Sequence, residues 1–172
     1  MILSATGHRP NKLNNEYDLK GPLTKLIAER VYSLYEQLQP TKCISGMALG
    51  FDMIFAVCSI RRGIPLLAYI PFKGQELKWP EASQALYRRI LEDKLVTPII
   101  VCEGAYAAWK MYERDKRMVD DGNEVVACWD GSYDSGTGKT VKYAEEVGKK
   151  IYRINPKELM WQDIERIPTS KI

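Results

Sequence analysis

The stretch Lys42-Cys43-Ile44-Ser45-Gly46-Met47-Ala48-Leu49-Gly50-Phe51-Asp52 passes from a short apolar run, through a loop bracketed by glycines, into a helical pattern. A continuous apolar run is what a strand covered on both faces requires. A glycine loop opening a helix is the turn that follows such a strand in an open α/β sheet. Five further runs rich in β-branched residues lie outward from this one, at 1–6, 65–70, 96–102, 124–129 and 149–154. The segments between them carry helical period. Leu23, Leu26, Ile27, Val31, Leu34, Tyr35 and Leu38 share one face, and Leu86, Tyr87, Ile90 and Leu91 share another. Strands alternating with helices imply right-handed crossovers, and so a doubly wound, mostly parallel sheet of about six strands flanked by helices. No repeat or linker interrupts residues 1–172, which read as one domain. The segment from Pro156, with Leu159, Trp161 and Ile164, reads as a closing helix.

Bulk composition narrows the function classes. The 172 residues are 45% hydrophobic and 27% charged, as in ordinary globular proteins. The net charge of +3 is small, and the cations are interspersed with acids, so charge alone gives no reason to expect a nucleic-acid partner. The apolar run at the start lacks a basic segment before it and does not read as a signal peptide. No run nears the roughly 18 apolar residues of a membrane span. A soluble, cytoplasmic protein with no membrane partner is expected. Cys43, Cys58, Cys102 and Cys128 form no CxxC pair and read as reduced core thiols. With His8 the only histidine, a metal site is not expected.

In open parallel sheets, ligands bind beyond the carboxyl ends of the strands. The residues at those ends here are small, polar and cationic: Thr6-Gly7-His8-Arg9-Pro10, Ser45 to Asp52, Pro71-Phe72-Lys73 with Gln75 and Trp79, and Asp130-Gly131 leading to Ser135-Gly136-Thr137-Gly138-Lys139-Thr140. Glycine lets a backbone approach a ligand, and helix N-termini offer free N–H groups to an anion. Arg9 adds a charged donor. Gly138-Lys139-Thr140 is not the end of a P-loop, because Tyr133 stands where that pattern needs its first glycine.

These motifs, with Tyr143-Ala144 and Tyr112-Glu113-Arg114-Asp115, resemble the SLOG superfamily from residue 1 to about 156. The chain looks most like its YspA/YpsA-like branch, related to the DNA-processing protein DprA and the LOG phosphoribohydrolases. The resemblance implies a Rossmann-like domain that binds a nucleotide or nucleotide-derived ligand, such as an NAD or ADP-ribose derivative. It implies pocket positions at Gly7, Arg9, Gly46, Asp52, Gly136, Thr137 and Thr140. Such domains commonly pair, so a homo-oligomer is expected.

The full ligand-binding set comprises Gly7, His8, Arg9, Ser45, Gly46, Gly50, Asp52, Trp79, Asp130, Gly136, Thr137, Gly138 and Thr140. Most of these have an alternative duty. His8 contacts a ligand or makes a turn hydrogen bond. Asp52 accepts a ribose hydroxyl or complements its helix dipole. Trp79 stacks on a base or covers the core. Asp130 binds ribose or closes an Asx turn. Arg114 and Asp115 read as a solvated ion pair. No residue is assigned a catalytic role and no cofactor is required. A LOG-type N-glycosidic hydrolase would place a Glu three residues after Thr137, where Thr140 stands, so binding is favoured over hydrolysis. Single-stranded DNA binding ranks third, since acids such as Asp115, Asp120 and Glu145 offset Lys116, Arg117, Lys139 and Lys142.

Overall fold

The computed structural model describes the backbone of residues 1–166 and the side chains of residues 1–161. Six strands, β1 (Ile2–Gly7), β2 (Lys42–Ser45), β3 (Leu66–Ile70), β4 (Val96–Ile100), β5 (Glu124–Cys128) and β6 (Lys150–Ile154), form one sheet ordered β4-β3-β2-β1-β5-β6. All five pairings are parallel. The sequence-based sheet is therefore the observed one, with strand ends shifted by at most two residues.

The helices are α1 (Pro22–Leu38), α2 (Phe51–Arg61), α3 (Glu81–Leu91), α4 (Ala108–Asp121), α5 (Gly136–Glu146) and α6 (Pro156–Arg166). α1 packs against α2 and α6, and α2 against α3, on one face; α4 packs against α5 on the other. This is a three-layer, doubly wound Rossmann-like arrangement. The apolar stripe predicted for α1 is buried through Leu23, Ile27, Val31 and Tyr35. Its N-terminus is closed by a side chain from the preceding loop: Glu16 accepts the N–H groups of Leu23 (3.2 Å) and Thr24 (2.7 Å).

α2 is apolar nearly all round, as a helix enclosed on every side must be. Phe51, Met53, Ile54, Phe55, Ala56 and Cys58 are all buried between α1, α3 and the sheet. Gly7 makes room for it, because a Cβ there would collide with Phe51. At the sheet edge, Pro98 sits in the middle of β4. Its missing N–H interrupts the free edge as a template for another strand. The closing helix predicted from Pro156 is present with Leu159 buried, while Trp161 is exposed. The side chain of Ile164 and residues 167–172 lie outside the described residues. No helix among the described residues is long and apolar enough to cross a membrane.

Candidate functional site

The strand order reverses between β1 and β5. Loops leaving two such strands diverge and open a crevice beyond their carboxyl ends. A cavity of about 250 Å³ lies there. Four segments line it: Thr6 to Arg9 with Asn11 and Lys12 after β1, Ala48 and Asp52 at the turn into α2, Met111, Arg114 and Asp115 from α4, and Ser135 to Thr137 at the start of α5.

The α5 end is built for an anion. The Ser135 Oγ accepts the N–H of Gly138 at 2.9 Å, capping the helix from the side. The N–H groups of Gly136 and Thr137 have no partner among the described residues, and nothing stands within 4 Å of a Cβ placed on Gly136. These free donors and the helix dipole face the cavity. Across it, Arg9 and Lys12 are exposed, and their side chains make no hydrogen bond or ion pair among the described residues.

The floor holds a buried charge network. Arg114 is only 3% exposed. Its Nε donates to Asp115 Oδ1 at 2.7 Å, and one terminal nitrogen donates to the carbonyls of Gly46 (2.5 Å) and Tyr69 (3.4 Å). The other terminal nitrogen has no partner among the described residues. Asp115 Oδ2 accepts from Thr140 Oγ1 at 3.2 Å. The expected solvated pair is thus corrected. Lys110, Arg114 and Met118 recur every four residues on the buried face of α4, and the cost of burying a guanidinium there is offset by the carbonyls and the carboxylate around it. Gly46 permits the approach, since a Cβ at that position would lie 2.8 Å from both Arg114 and Asp52.

Asp52 is 7% exposed, and its Oδ2 accepts the N–H of Ala48 at 3.3 Å. The other carboxylate oxygen has no partner among the described residues and is left to the cavity. Burial pushes the Asp52 carboxyl up to about 6, opposed by the Arg114 charge and reinforced by Asp115. Its backbone is fixed by Ser45, whose hydroxyl donates to the Asp52 carbonyl at 2.7 Å.

Other predicted positions have structural duties, His8 while also lining the cavity. The His8 ring turns toward β5: its Nε2 accepts the backbone N–H of Asp130 at 3.0 Å and lies 3.2 Å from Asp130 Oδ1. Burial lowers the His8 pKa against the raising influence of Asp130, consistent with a neutral ring that accepts at Nε2. Asp130 also accepts from the Ser132 N–H, closing an Asx turn, and that bond holds its carboxyl below the ordinary range. Trp79 does not reach the cavity, because its ring packs edge-on against Tyr87 with centroids 5.2 Å apart. Gly50, at φ +93°, occupies a conformation that side chains rarely adopt and abuts the His8 carbonyl. Gly138 lets α5 pass close to the backbone of Ser132 and Tyr133. Gly7, Arg9, Asp52, Gly136 and Thr137 do come together at the cavity, with Ser45, Gly46 and Thr140 supporting its floor. The spacing of Lys110, Arg114 and Met118 was the available signal for Arg114. Asn11 and Lys12 carried none.

Residues 23–164 match the family model of DNA recombination-mediator protein A. The chain belongs to this family. As a member of the DNA recombination-mediator family, it is 27% identical over 161 residues to YoqJ, an uncharacterised SPbeta prophage-derived protein of Bacillus subtilis, covering 80% of this chain and 92% of that protein. It is 29% identical over 140 residues to a UPF0398 protein of Brevibacillus brevis, covering 76% and 73%. Among solved structures it resembles DNA processing protein A of Streptococcus pneumoniae, with a TM-score of 0.65 at 17% identity over 96% of this chain. The chain spans 56% of that protein's length. DNA processing protein A of Helicobacter pylori, described with a single-stranded DNA binding mode, gives a TM-score of 0.62 at 14% identity, covering 95% of this chain and 73% of that one. At these identities the structural likeness establishes the fold.

Proposed function

We propose that the protein binds single-stranded DNA, holding one nucleotide unit in the cavity between β1 and β5. The observation that carries this reading is the cradle made by the free amides of Gly136 and Thr137 with unpaired Arg9. A phosphate there receives charge-assisted hydrogen bonds from two directions. Family membership supplies the polymer, since the Helicobacter relative is described as binding single strands. This promotes the reading that charge composition had ranked third: what favours it is local donor geometry, which a net charge of +3 does not report.

A second reading keeps the same phosphate contacts but takes a free nucleotide or an NAD or ADP-ribose derivative. Its support is size: the cavity, about 250 Å³, is slightly below the usual range of small-molecule pockets, which limits an occupant to about one nucleotide unit. Membership of the YspA/YpsA-like SLOG branch belongs with this proposal, as does a cytoplasmic location. No reaction is assigned, because Thr140 stands where the hydrolases of the LOG type carry a glutamate, and its hydroxyl is committed to Asp115.

The test is fluorescence anisotropy with a labelled single-stranded oligodeoxynucleotide, the same sequence as duplex, and Arg9→Ala. Single strands should bind more tightly than duplex. The variant should lose about tenfold, the order of one charge-assisted contact. Equal affinity of variant and wild type would remove the cavity from the binding surface.

A further inference from the structure

All six strands are parallel, so every loop that follows a strand lies at the same end of the molecule as the cavity. The loop after β4 and the start of α4 place three large aromatics on that end and its flank. Tyr106 is 67% exposed, Trp109 60% and Tyr112 37%. Exposed apolar side chains are common singly; three within seven residues, beside a cavity lined by the same helix, call for an account.

The segment is held in place. Lys110 is buried and its ammonium donates to the carbonyls of Glu103 and Ala105, pinning the loop. Tyr106 rests edge-on against Phe72, with centroids 5.7 Å apart, so its position is fixed while its surface stays free. A lysine lies near each of the other two rings, Lys110 5.6 Å from the centroid of Trp109 and Lys116 5.0 Å from that of Tyr112. Glu113, the acid between them, is already paired with Lys116 at 2.6 Å. Trp109 stands two residues before Met111 on α4, and Met111 lines the cavity. The platform and the cavity therefore share the start of one helix.

The geometry points to Tyr106 and Trp109 as a stacking platform for the bases of a single strand whose neighbouring nucleotide occupies the cavity. This rests on the proposed DNA-binding reading and adds the direction in which the strand leaves. Rings stack on unpaired bases of any sequence. A duplex keeps its base faces covered and gains nothing from such a platform. A neighbouring protein strand is not the occupant favoured here, since Pro98 interrupts the edge of β4.

The experiment compares two probes, thymidine 5′-monophosphate by calorimetry and a twelve-nucleotide thymidine oligomer by anisotropy. The proteins are wild type, Tyr106→Ala, Trp109→Ala and Arg9→Ala. The platform predicts that either aromatic variant weakens the oligomer about tenfold and leaves the mononucleotide unchanged. Arg9→Ala should weaken both. Oligomer affinity unchanged in both aromatic variants would overturn the platform, while a loss confined to Arg9→Ala would leave the cavity reading standing. A wild type that binds the mononucleotide and not the oligomer also overturns it. If the aromatic variants instead dissociate a dimer on size exclusion with no change in oligomer affinity, a second copy of the chain covers the patch and the inference fails. Failure of wild type to bind either probe would sink the cavity reading itself.

Discussion

Asp52 is held charged at a cost. Its carboxyl sits in the fold at about 6 against an ordinary 3.8, with burial as the main cause. The folded chain binds this proton more tightly than the unfolded chain does. Its contribution to stability is therefore fully present below about pH 4 and is lost as pH rises through about 6. The difference corresponds to about 3 kcal/mol. Asp52→Asn should raise the melting temperature by several degrees at pH 8 and change it little at pH 4, measured against wild type in the same buffers. Equal melting at pH 8 would mean that the carboxylate is not strained. His8 works in the opposite sense, because its lowered pKa makes stability fall as pH drops below 6.5. At this scale the sequence was partly legible. Glycines and cations after strands marked the cavity, but burial of Arg114 depends on space left by Gly46, a partner 68 positions away. Trp79 likewise found Tyr87 within its own side of the sheet, a packing choice that a strand-end position does not disclose.

At the level of elements, the start of α5 can be tested apart from the fold. Nothing lies within 4 Å of a Cβ on Gly136, so a side chain is accommodated there. Gly136→Asp adds a negative charge to a helix N-terminus, which stabilises the empty protein by about 0.5 kcal/mol. The same charge repels a phosphate from the amides of Gly136 and Thr137. The expected outcome is a melting temperature equal to or slightly above wild type, with oligonucleotide affinity reduced at least tenfold. A variant that melts higher and binds normally would place the phosphate elsewhere. Strands were the most legible elements, because each is a short apolar run, with the four central ones, β1, β2, β3 and β5, largely buried, and their ends were read to within two residues. The pairing of β1 with β5 was less legible. It depends on the crossover through α4 returning past β1, which local pattern does not encode.

Over the whole molecule, the charge of +3 is too small to draw nucleic acid by long-range field alone. Binding should therefore come from a few contacts at the strand-end face and respond modestly to salt. For single strands each neutralised phosphate contributes about 0.7 to the slope of log affinity against log salt. Wild type is expected to show a slope of magnitude about 2, and Arg9→Ala about 0.7 less, in titrations between low and physiological salt. A slope unchanged by the variant would show that Arg9 contacts no phosphate. Net charge was legible from composition, yet it pointed away from DNA, because composition averages over the acids of α4 and α5 that pair locally with their neighbours. Tyr143 donates to Asp120 and Tyr133 to Glu145, for example, and Lys116 pairs with Glu113.

The enclosure of α2 also orders the molecule in time. A helix apolar on all sides has no solvated face from which to fray, so its amides exchange with solvent hydrogen only when the layers around it separate. Gly50 and Asp52 belong to its first turn and share that slow opening, whereas the exposed residues Asn11 and Lys12 sit on a short surface turn. Amide exchange at Gly50 and Asp52 is thus expected to follow global unfolding, and exchange at Asn11 and Lys12 to be much faster. On the proposed reading, a ligand would enter past a quick rim and meet a floor that opens only with the whole fold.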